Sequence, residues 1–158
     1  MASVYLALGT NLGDRAQNLT EAIRRLGEVI TVEKTSAIYE TEPWGIEDQP
    51  AFYNQVLHGH TRLAPHALLR FAKEQELRMG RRPDAIRYGP RLIDIDILFY
   101  DRVCFASYSL TVPHPRLAER AFVLVPLADI AADLVHPGNG YTIEELVARL
   151  DTSGVRRI

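Results

Sequence analysis

The segment Leu92-Ile-Asp-Ile-Asp-Ile-Leu-Phe99 alternates apolar and acidic residues, the pattern of a β-strand whose two faces meet different surroundings. One face is expected to enter a core, and it carries Ile93, Ile95, Ile97 and Phe99. The other face carries Asp94 and Asp96, with Cα atoms about 6.6 Å apart at a rise of about 3.3 Å per residue. The segment therefore predicts a strand that closes a core on one side and presents two carboxylates on the other.

The two carboxylates need a compensating partner. Side by side they repel one another, and aspartate is rare in strands. A divalent cation would remove the repulsion, and hard oxygen donors on a rigid strand suit Mg²⁺, which also accepts substrate phosphates. The alternative is a solvated polar face, or salt bridges from Asp94 and Asp96 to nearby arginines. On this pattern both aspartates are candidate metal ligands.

An arginine-rich segment precedes the strand. Residues 70–91 hold seven basic and three acidic side chains in a chain whose net charge is -2. A local basic cluster of this kind favours a compact anionic ligand over a long polyanion. Residues 81–91 are irregular, and a long loop inside a compact domain is typical of function or of disorder. Arginines beside two aspartates predict a clamp for polyphosphate, and a solvated basic helix end is the alternative.

The segments around this strand alternate between strand and helix patterns. Strand patterns occupy residues 3–8, 29–39, 52–62 and 92–99. Helix patterns run from an Asp14 cap to about Gly27 and from Pro65 to Met79. The order strand, helix, strand, strand, helix, strand predicts a ferredoxin-like α+β domain, with an antiparallel sheet and both helices on one face. A capping box from Thr142 predicts a further helix over 143–150, among C-terminal additions.

Composition excludes several classes. The chain has 158 residues, 47% hydrophobic and 24% charged, which excludes disorder, collagen and coiled coil as the main state. A net charge of -2 predicts neither a nucleic-acid nor a membrane partner. The single Cys104 excludes an intramolecular disulfide and a cysteine-built zinc site. No secretory signal or apolar run of about 18 residues is evident, so we expect a cytoplasmic protein.

Three further motifs have competing interpretations. The turn Gly9-Thr-Asn-Leu-Gly13 lacks a Gly-Lys-Ser/Thr ending, which favours a tight turn with a helix cap over a P-loop. His114 lies between two prolines on a stiff loop, where a lone histidine is more often structural than catalytic. His58 and His60 share a strand face and could bind a metal, but no third ligand is evident in the sequence. We therefore favour the absence of a metal site there.

Five motifs follow one another along the chain: Gly9-Thr-Asn-Leu-Gly-Asp14, Tyr39-Glu-Thr-Glu-Pro43, Asp48-Gln-Pro50 with Asn54, Gly89-Pro-Arg-Leu-Ile-Asp-Ile-Asp-Ile97 and Leu110-Thr-Val-Pro-His-Pro115. Together they resemble a known family, the 6-hydroxymethyl-7,8-dihydropterin pyrophosphokinases of folate biosynthesis, over about residues 3–136. The resemblance implies a monomeric, ferredoxin-like pyrophosphokinase domain over residues 1–158. It also implies transfer of the β,γ-diphosphate of ATP to the pterin hydroxymethyl group, with two Mg²⁺ ions and release of AMP.

The resemblance also implies roles for individual residues. Asp94 and Asp96 match the magnesium ligands, and with Arg81 and Arg91 they form the catalytic set. The implied ATP contacts are Lys73, Glu76, Arg81, Arg91, Ile97, Thr111, His114 and Arg120. The implied pterin contacts are Thr41, Trp44, Phe52, Asn54, Asp94 and Phe122, with Phe52 and Phe122 as the two rings that sandwich the bicycle.

The chain departs from the family pattern at three positions. Pro83 replaces a second loop arginine, for which Arg82 is a candidate substitute, Tyr88 replaces a tryptophan, and Lys73 replaces a glutamine. Two other classes share the predicted strand order. An RNA-binding domain should display aromatic RNP segments, which the sequence lacks, and a small-molecule regulatory module would not need two aspartates beside an arginine loop.

Overall fold

The computed structural model describes residues 1–42, 48–80 and 92–158. The strands of this part of the chain are β1 Ala2–Thr10, β2 Ile30–Thr35, β3 Tyr39–Thr41, β4 Phe52–Thr61, β5 Asp94–Tyr100, β6 Phe105–Ala106, β7 Thr111–Val112 and β8 Val155–Arg157. The helices are α1 Arg15–Leu26, α2 Pro65–Arg78, α3 Ala121–Ala131 and α4 Ile143–Ala148, with a 3-10 helix at Leu117–Glu119. None of these helices, within the described ranges, is long and apolar enough to cross a bilayer.

The main sheet has the strand order β5-β1-β4-β3-β8, and β2 pairs with the second half of β4. All of these pairings are antiparallel. The predicted α+β, ferredoxin-like arrangement is therefore confirmed, with β5 at one end of the order beside the central β1.

The single strand predicted over 29–39 is wrong, because the chain breaks into β2 and β3 at Ser36. The Ser36 hydroxyl accepts the Val56 N–H at 2.9 Å and donates to the Ala37 carbonyl at 2.8 Å. The side chain thus replaces a backbone acceptor of the ladder, which interrupts the strand.

The first core lies between the sheet and α1 with α2. Leu6 and Leu8 of β1 pack there with Leu19 of α1 and Leu68 of α2. Helix α1 begins as predicted, because the Asp14 carboxylate accepts the Gln17 N–H at 3.1 Å. Both predicted helices therefore lie on one face of the sheet.

The second core lies on the opposite face, beneath α3 and α4. Leu124 of α3 and Ile143 of α4 pack there against Val56 and Phe99. The capping box at Thr142 is present, and the helix it starts ends at Ala148 rather than at 150. The C-terminal additions therefore cover the face that α1 and α2 leave open.

Strand β5 contains a bulge at Leu98. Ile97 pairs with Leu6 and Phe99 with Tyr5, so Leu98 is an extra residue opposite β1. The prediction that Phe99 shares a face with Ile97 is wrong for this reason. Ile97 packs in the first core, whereas Leu98 and Phe99 pack in the second.

Candidate active site

Asp94 and Asp96 lie on the β5 half that precedes the bulge. Asp94 pairs with Gly9 and Asp96 with Ala7, and both carboxylates are half-buried. Directly opposed residues in an antiparallel pair share a face, so both aspartates lie on the α3 side of the sheet. The residues opposite them on β1, Gly9 and Ala7, are small.

The absence of a side chain at Gly9 is required by its neighbours on β4. A Cβ atom at Gly9 would lie 3.2 Å from Oδ1 of Asn54 and 3.8 Å from the Phe52 ring. Gly9 lies within β1, which runs to Thr10, so the turn predicted to begin at Gly9 starts later in the chain. A side chain here would therefore crowd the amide oxygen of Asn54, to which the resemblance assigns a pterin contact, and would only touch the Phe52 ring.

Asn54 and its neighbours form a polar patch on the same sheet face. Asn54 is 7% exposed, and its amide donates to the Thr41 hydroxyl at 2.8 Å. Thr41 pairs with Phe52 across β3 and β4. Because residues two apart in a strand share a face, Phe52, Asn54 and Thr41 lie on one side, and Gly9, opposite Asn54, places the two aspartates on that side as well.

Glu76 lies behind the aspartate pair, on α2. Its side chain is 3% exposed, and its carboxylate accepts the Ile95 N–H at 2.7 Å and lies 3.4 Å from the Lys73 ammonium. Ile95 is the residue between the two aspartates. Glu76 therefore fixes the outer edge of β5 where the carboxylates project.

His114 faces the pair from the segment after β7. Its backbone N–H donates to the Leu98 carbonyl at 3.0 Å, and its Nδ1 accepts the Arg116 N–H at 3.2 Å. Burial lowers the His114 pKa to about 4, and Arg120 lowers it further, while Asp94 opposes the shift. His114 is therefore neutral at pH 7, with its proton on Nε2.

A cleft of about 270 Å³ opens between α2, β5 and residues 107–115. Its polar walls carry Lys73, Asp96, Thr111 and His114, and Ile97 lies among its apolar walls. This volume is close to the lower end of small-molecule pockets, which span roughly 300–1,000 Å³. The cleft thus unites one predicted metal ligand with four residues predicted to contact ATP.

Arg120 and Phe122 lie where α3 begins, and Arg120 is close enough to His114 to affect its pKa. The Arg120 guanidinium is 5.6 Å from the centre of the Phe122 ring, and its charge acts on His114. Phe122 packs at the margin of the second core. These two residues therefore connect the His114 side of the site with the sheet face that carries Asn54.

Two residues that sequence reasoning did not assign hold the chain around the site. Asn11 is fully buried and donates to Gln49 Oε1 at 2.9 Å and to the Pro50 carbonyl at 3.0 Å. Arg15 donates to the Ala51 carbonyl at 2.8 Å. The available sequence signal was the asparagine itself, because Asn11 lies within the Gly9–Gly13 motif. That motif was interpreted only as a turn.

Three predicted site residues lie outside the described ranges: Trp44, Arg81 and Arg91. The same holds for the departures from the family pattern at Pro83 and Tyr88.

The donor set at Asp94 and Asp96 fits Mg²⁺. Two carboxylates project to the same side of one strand, opposite the small residues Gly9 and Ala7, and carboxylate oxygens are the ligands that this ion prefers. These two residues would hold the metal, and Lys73 and His114 in the adjacent cleft supply donors for a phosphate.

Residues 5–132 match the protein family described as 7,8-dihydro-6-hydroxymethylpterin-pyrophosphokinase. The chain belongs to this family. The resemblance inferred from the five sequence motifs is therefore confirmed, and this pyrophosphokinase family accounts for most of the described residues.

Named relatives agree with this membership. The chain is 44% identical, over 160 residues, to the 2-amino-4-hydroxy-6-hydroxymethyldihydropteridine pyrophosphokinase of Methylorubrum extorquens, covering 100% of this chain and 99% of that protein. It is 42% identical over 151 residues to the folic acid synthesis protein of Dictyostelium discoideum, covering 96% of this chain. The chain spans only 23% of that longer relative.

A solved structure supports the fold. The Plasmodium falciparum HPPK-DHPS crystal structure with pteroate superposes with a TM-score of 0.78 at 19% identity, covering 99% of this chain and 46% of that chain. At this identity the likeness concerns the fold alone. It agrees with the ferredoxin-like arrangement of the pyrophosphokinase family.

Proposed function

We propose that this chain transfers the β,γ-diphosphate of ATP to the hydroxymethyl oxygen of 6-hydroxymethyl-7,8-dihydropterin and releases AMP. One observation carries the proposal: Asp96 belongs to two halves of one site. It lines the cleft that holds Lys73 and His114, and it shares a sheet face with Asn54 and Phe52. A metal bound there would lie between a nucleotide in the cleft and a flat ligand on the sheet face.

The cleft half suits a polyphosphate. Lys73 supplies a positive charge, and neutral His114 offers its Nε2 proton to a phosphate oxygen. We assign ATP to this half, with contacts at Lys73, Ile97, Thr111, His114 and Arg120, and from the resemblance at Arg81 and Arg91. Glu76 is assigned a positioning role, because its carboxylate is engaged with the Ile95 N–H.

The sheet half suits a flat polar ring. Asn54 is held by Thr41, which fixes the amide plane for hydrogen bonds to a heterocycle. Phe52 on β4 and Phe122 on α3 offer rings that fit the two sides of a bicycle. Asp94, Asn54 and the backbone near Thr41 and Trp44 complete the proposed pterin site.

The metal site is assigned to Asp94 and Asp96, with two Mg²⁺ ions. When bound, Mg²⁺ neutralises phosphate charge and lowers the pKa of a coordinated alcohol. The residues of the chain orient the pterin hydroxymethyl oxygen toward the β-phosphorus. A new bond forms between these atoms, the bond from the β-phosphorus to the α,β-bridging oxygen breaks, AMP leaves with that oxygen, and the hydroxyl proton passes to solvent.

A product assay tests the proposal. The chain is incubated with ATP, Mg²⁺ and 6-hydroxymethyl-7,8-dihydropterin, and nucleotides are separated by chromatography. We expect AMP to form only when both the pterin and Mg²⁺ are present. Release of ADP would contradict diphosphate transfer, and pterin-independent AMP release would contradict the assigned acceptor. We propose ATP and the pterin as the partners of this chain. We also propose that the enzyme is a monomer, and light scattering tests this oligomeric state separately.

A further inference from the structure

A second cluster of metal-binding side chains lies at the other end of the face that carries the aspartates. Glu33 of β2 faces His58 and His60 of β4 across the antiparallel pair. Glu33 Oε1 is 2.9 Å from His60 Nδ1, and Glu33 Oε2 is 3.7 Å from His58 Nδ1. One ligand atom from each of the three residues lies within 4.8 Å of the other two. The structure thus places a third candidate ligand, Glu33, beside the two histidines, which the sequence did not reveal.

The register of the sheet creates this cluster. The pairing of β2 with β4 shifts between Val32 and Lys34, so Glu33 is the extra residue at an irregularity of the ladder. The pairing is Val32 with Gly59 and Lys34 with His58. The irregularity turns the Glu33 carboxylate toward the two histidines instead of leaving it in a regular position.

His58 is held as a metal-bound imidazole usually is. Its Nε2 lies 2.9 Å from the Ser3 hydroxyl, and its ring stacks on Tyr5 with centres 4.3 Å apart and planes 18° from parallel. A hydrogen bond at one ring nitrogen orients the imidazole. In the tautomer in which Nε2 donates to the Ser3 hydroxyl, the Nδ1 that faces Glu33 has its lone pair available for a metal.

The two histidines share one carboxylate. Glu33 Oε1 is within hydrogen-bond distance of His60 Nδ1, whereas Oε2 approaches His58 Nδ1 only to 3.7 Å. Tetrahedral Zn²⁺ with bonds of about 2.0–2.1 Å separates its ligand atoms by roughly 3.3 Å. The three ligand atoms, which lie within 4.8 Å of one another, are therefore close to the spacing that this ion requires.

We propose that Glu33, His58 and His60 form a second metal site, which binds Zn²⁺ through one carboxylate oxygen and the two Nδ1 atoms. Two imidazoles and one carboxylate are a ligand set typical of this ion, with water in the fourth position. The Glu33 side chain is 46% exposed and that of His60 33% exposed, so the ion has a path from solvent. Bound zinc links β2 to β4 across the irregular pairing and thereby stabilises this end of the sheet.

Imidazole ¹⁵N NMR of the full chain tests the site directly. Zinc chloride is titrated into metal-free protein that also contains excess Mg²⁺. At one equivalent of Zn²⁺ we expect the Nδ1 resonances of His58 and His60 to shift together, while those of His66, His114 and His136 stay in place. Unmoved His58 and His60 resonances, or shifts that appear only together with those of His66, would overturn the proposal.

Variants provide the second readout, zinc affinity by calorimetry. Glu33→Gln and His60→Gln should each lower the affinity more than 100-fold, because each removes a ligand. Ser3→Ala, which removes the group that orients His58, should lower it about 10–100-fold. His66→Gln is the matched control and should leave the affinity unchanged. Equal affinity in Glu33→Gln and the parent chain would exclude this three-residue site.

The stabilising role has its own test. Zinc should raise the melting temperature of the parent chain, because a ligand that binds only the folded state favours it. The rise should be absent in His60→Gln, and a rise of equal size in that variant would contradict the link between β2 and β4.

Discussion

One sheet face carries two groups of potential metal ligands, and they differ in chemistry. Asp94 and Asp96 offer only carboxylate oxygens, next to Gly9 and Ala7. The cluster of Glu33, His58 and His60 offers two imidazoles and one carboxylate. Carboxylate oxygens favour a hydrated, hard ion such as Mg²⁺, whereas imidazoles favour Zn²⁺. The comparison shows that the two ends of one sheet face carry donor sets with different metal preferences, and the difference lies in side-chain type.

The largest effect is expected from removing the Asp96 carboxylate, at the end of the sheet face that carries the proposed Mg²⁺ ligands. Asp96→Asn should lower AMP release by on the order of 10³, because it removes a charged ligand of the proposed Mg²⁺, which would otherwise neutralise the substrate's phosphates. Steady-state rates with a circular dichroism control measure this. Asp133→Asn, at an exposed position of similar chemistry, is the matched control and should keep its activity. A near-normal rate in Asp96→Asn would contradict the assignment.

The next largest effect concerns Glu76, which lies behind the two aspartates on α2, and it is measured as a change in stability. Glu76→Ala leaves the buried Ile95 N–H without its acceptor and should lower the free energy of unfolding by about 1–3 kcal/mol. Glu76→Gln retains an oxygen that can accept this hydrogen bond and should recover most of the loss. Urea denaturation measures both variants. Equal stability of the alanine and glutamine variants would show that the 2.7 Å contact is not the stabilising one.

A smaller effect concerns pH. The folded-state pKa of His114 is about 4, below its usual value of 6.5, because the side chain is buried. As pH falls, the unfolded chain takes up this proton first, so stability declines between pH 6.5 and pH 4. His114→Asn should flatten this decline by about 1–2 kcal/mol after allowance for solvent screening.

Thermal unfolding of metal-free protein at several pH values measures the decline. His66→Asn is the control, and an unchanged pH profile in His114→Asn would contradict the assigned cause.

The smallest expected effect is that of Zn²⁺ on the rate of AMP release, and it tests directly whether the two ends bind different metals. One equivalent of Zn²⁺, added to enzyme with excess Mg²⁺, should change the rate of AMP release by less than about twofold, since the two ions prefer different ligands. Rates measured over a zinc titration test this. Collapse of the rate at one equivalent would show that zinc occupies the aspartate end.

The regular parts of the fold were predictable from the sequence. Alternation identified β5 and the two aspartates, and caps identified α1 and α4. Helix α3 was not found, because its residues are almost uniformly apolar and Pro126 lies inside it, which removes the helical periodicity. The face of Phe99 was also predicted wrongly, because one extra residue at Leu98 is invisible to a periodicity of two.

The same division between local pattern and packing holds for the site residues. Residues within one strand, such as Asp94 and Asp96, follow from local alternation. Glu33 did not follow, because its approach to His58 and His60 depends on the register between β2 and β4. The contact of Glu76 with Ile95 likewise depends on how α2 packs against β5. The arrangement of residues within one element can be predicted from their spacing in the sequence. Contacts between elements depend on register and packing, which the sequence pattern does not show.

The bulge at Leu98 divides β5 into two parts with different duties. Up to Ile97 the strand follows one phase, and from Phe99 onward it follows the opposite phase. Without the inserted residue, Leu98 would still share a face with Asp94 and Asp96, but Phe99 would turn toward the first core. The insertion instead brings two consecutive side chains, Leu98 and Phe99, onto the α3 side, where both pack in the second core. One extra residue thus gives the C-terminal helices an additional aromatic anchor and leaves the position of the two aspartates unchanged.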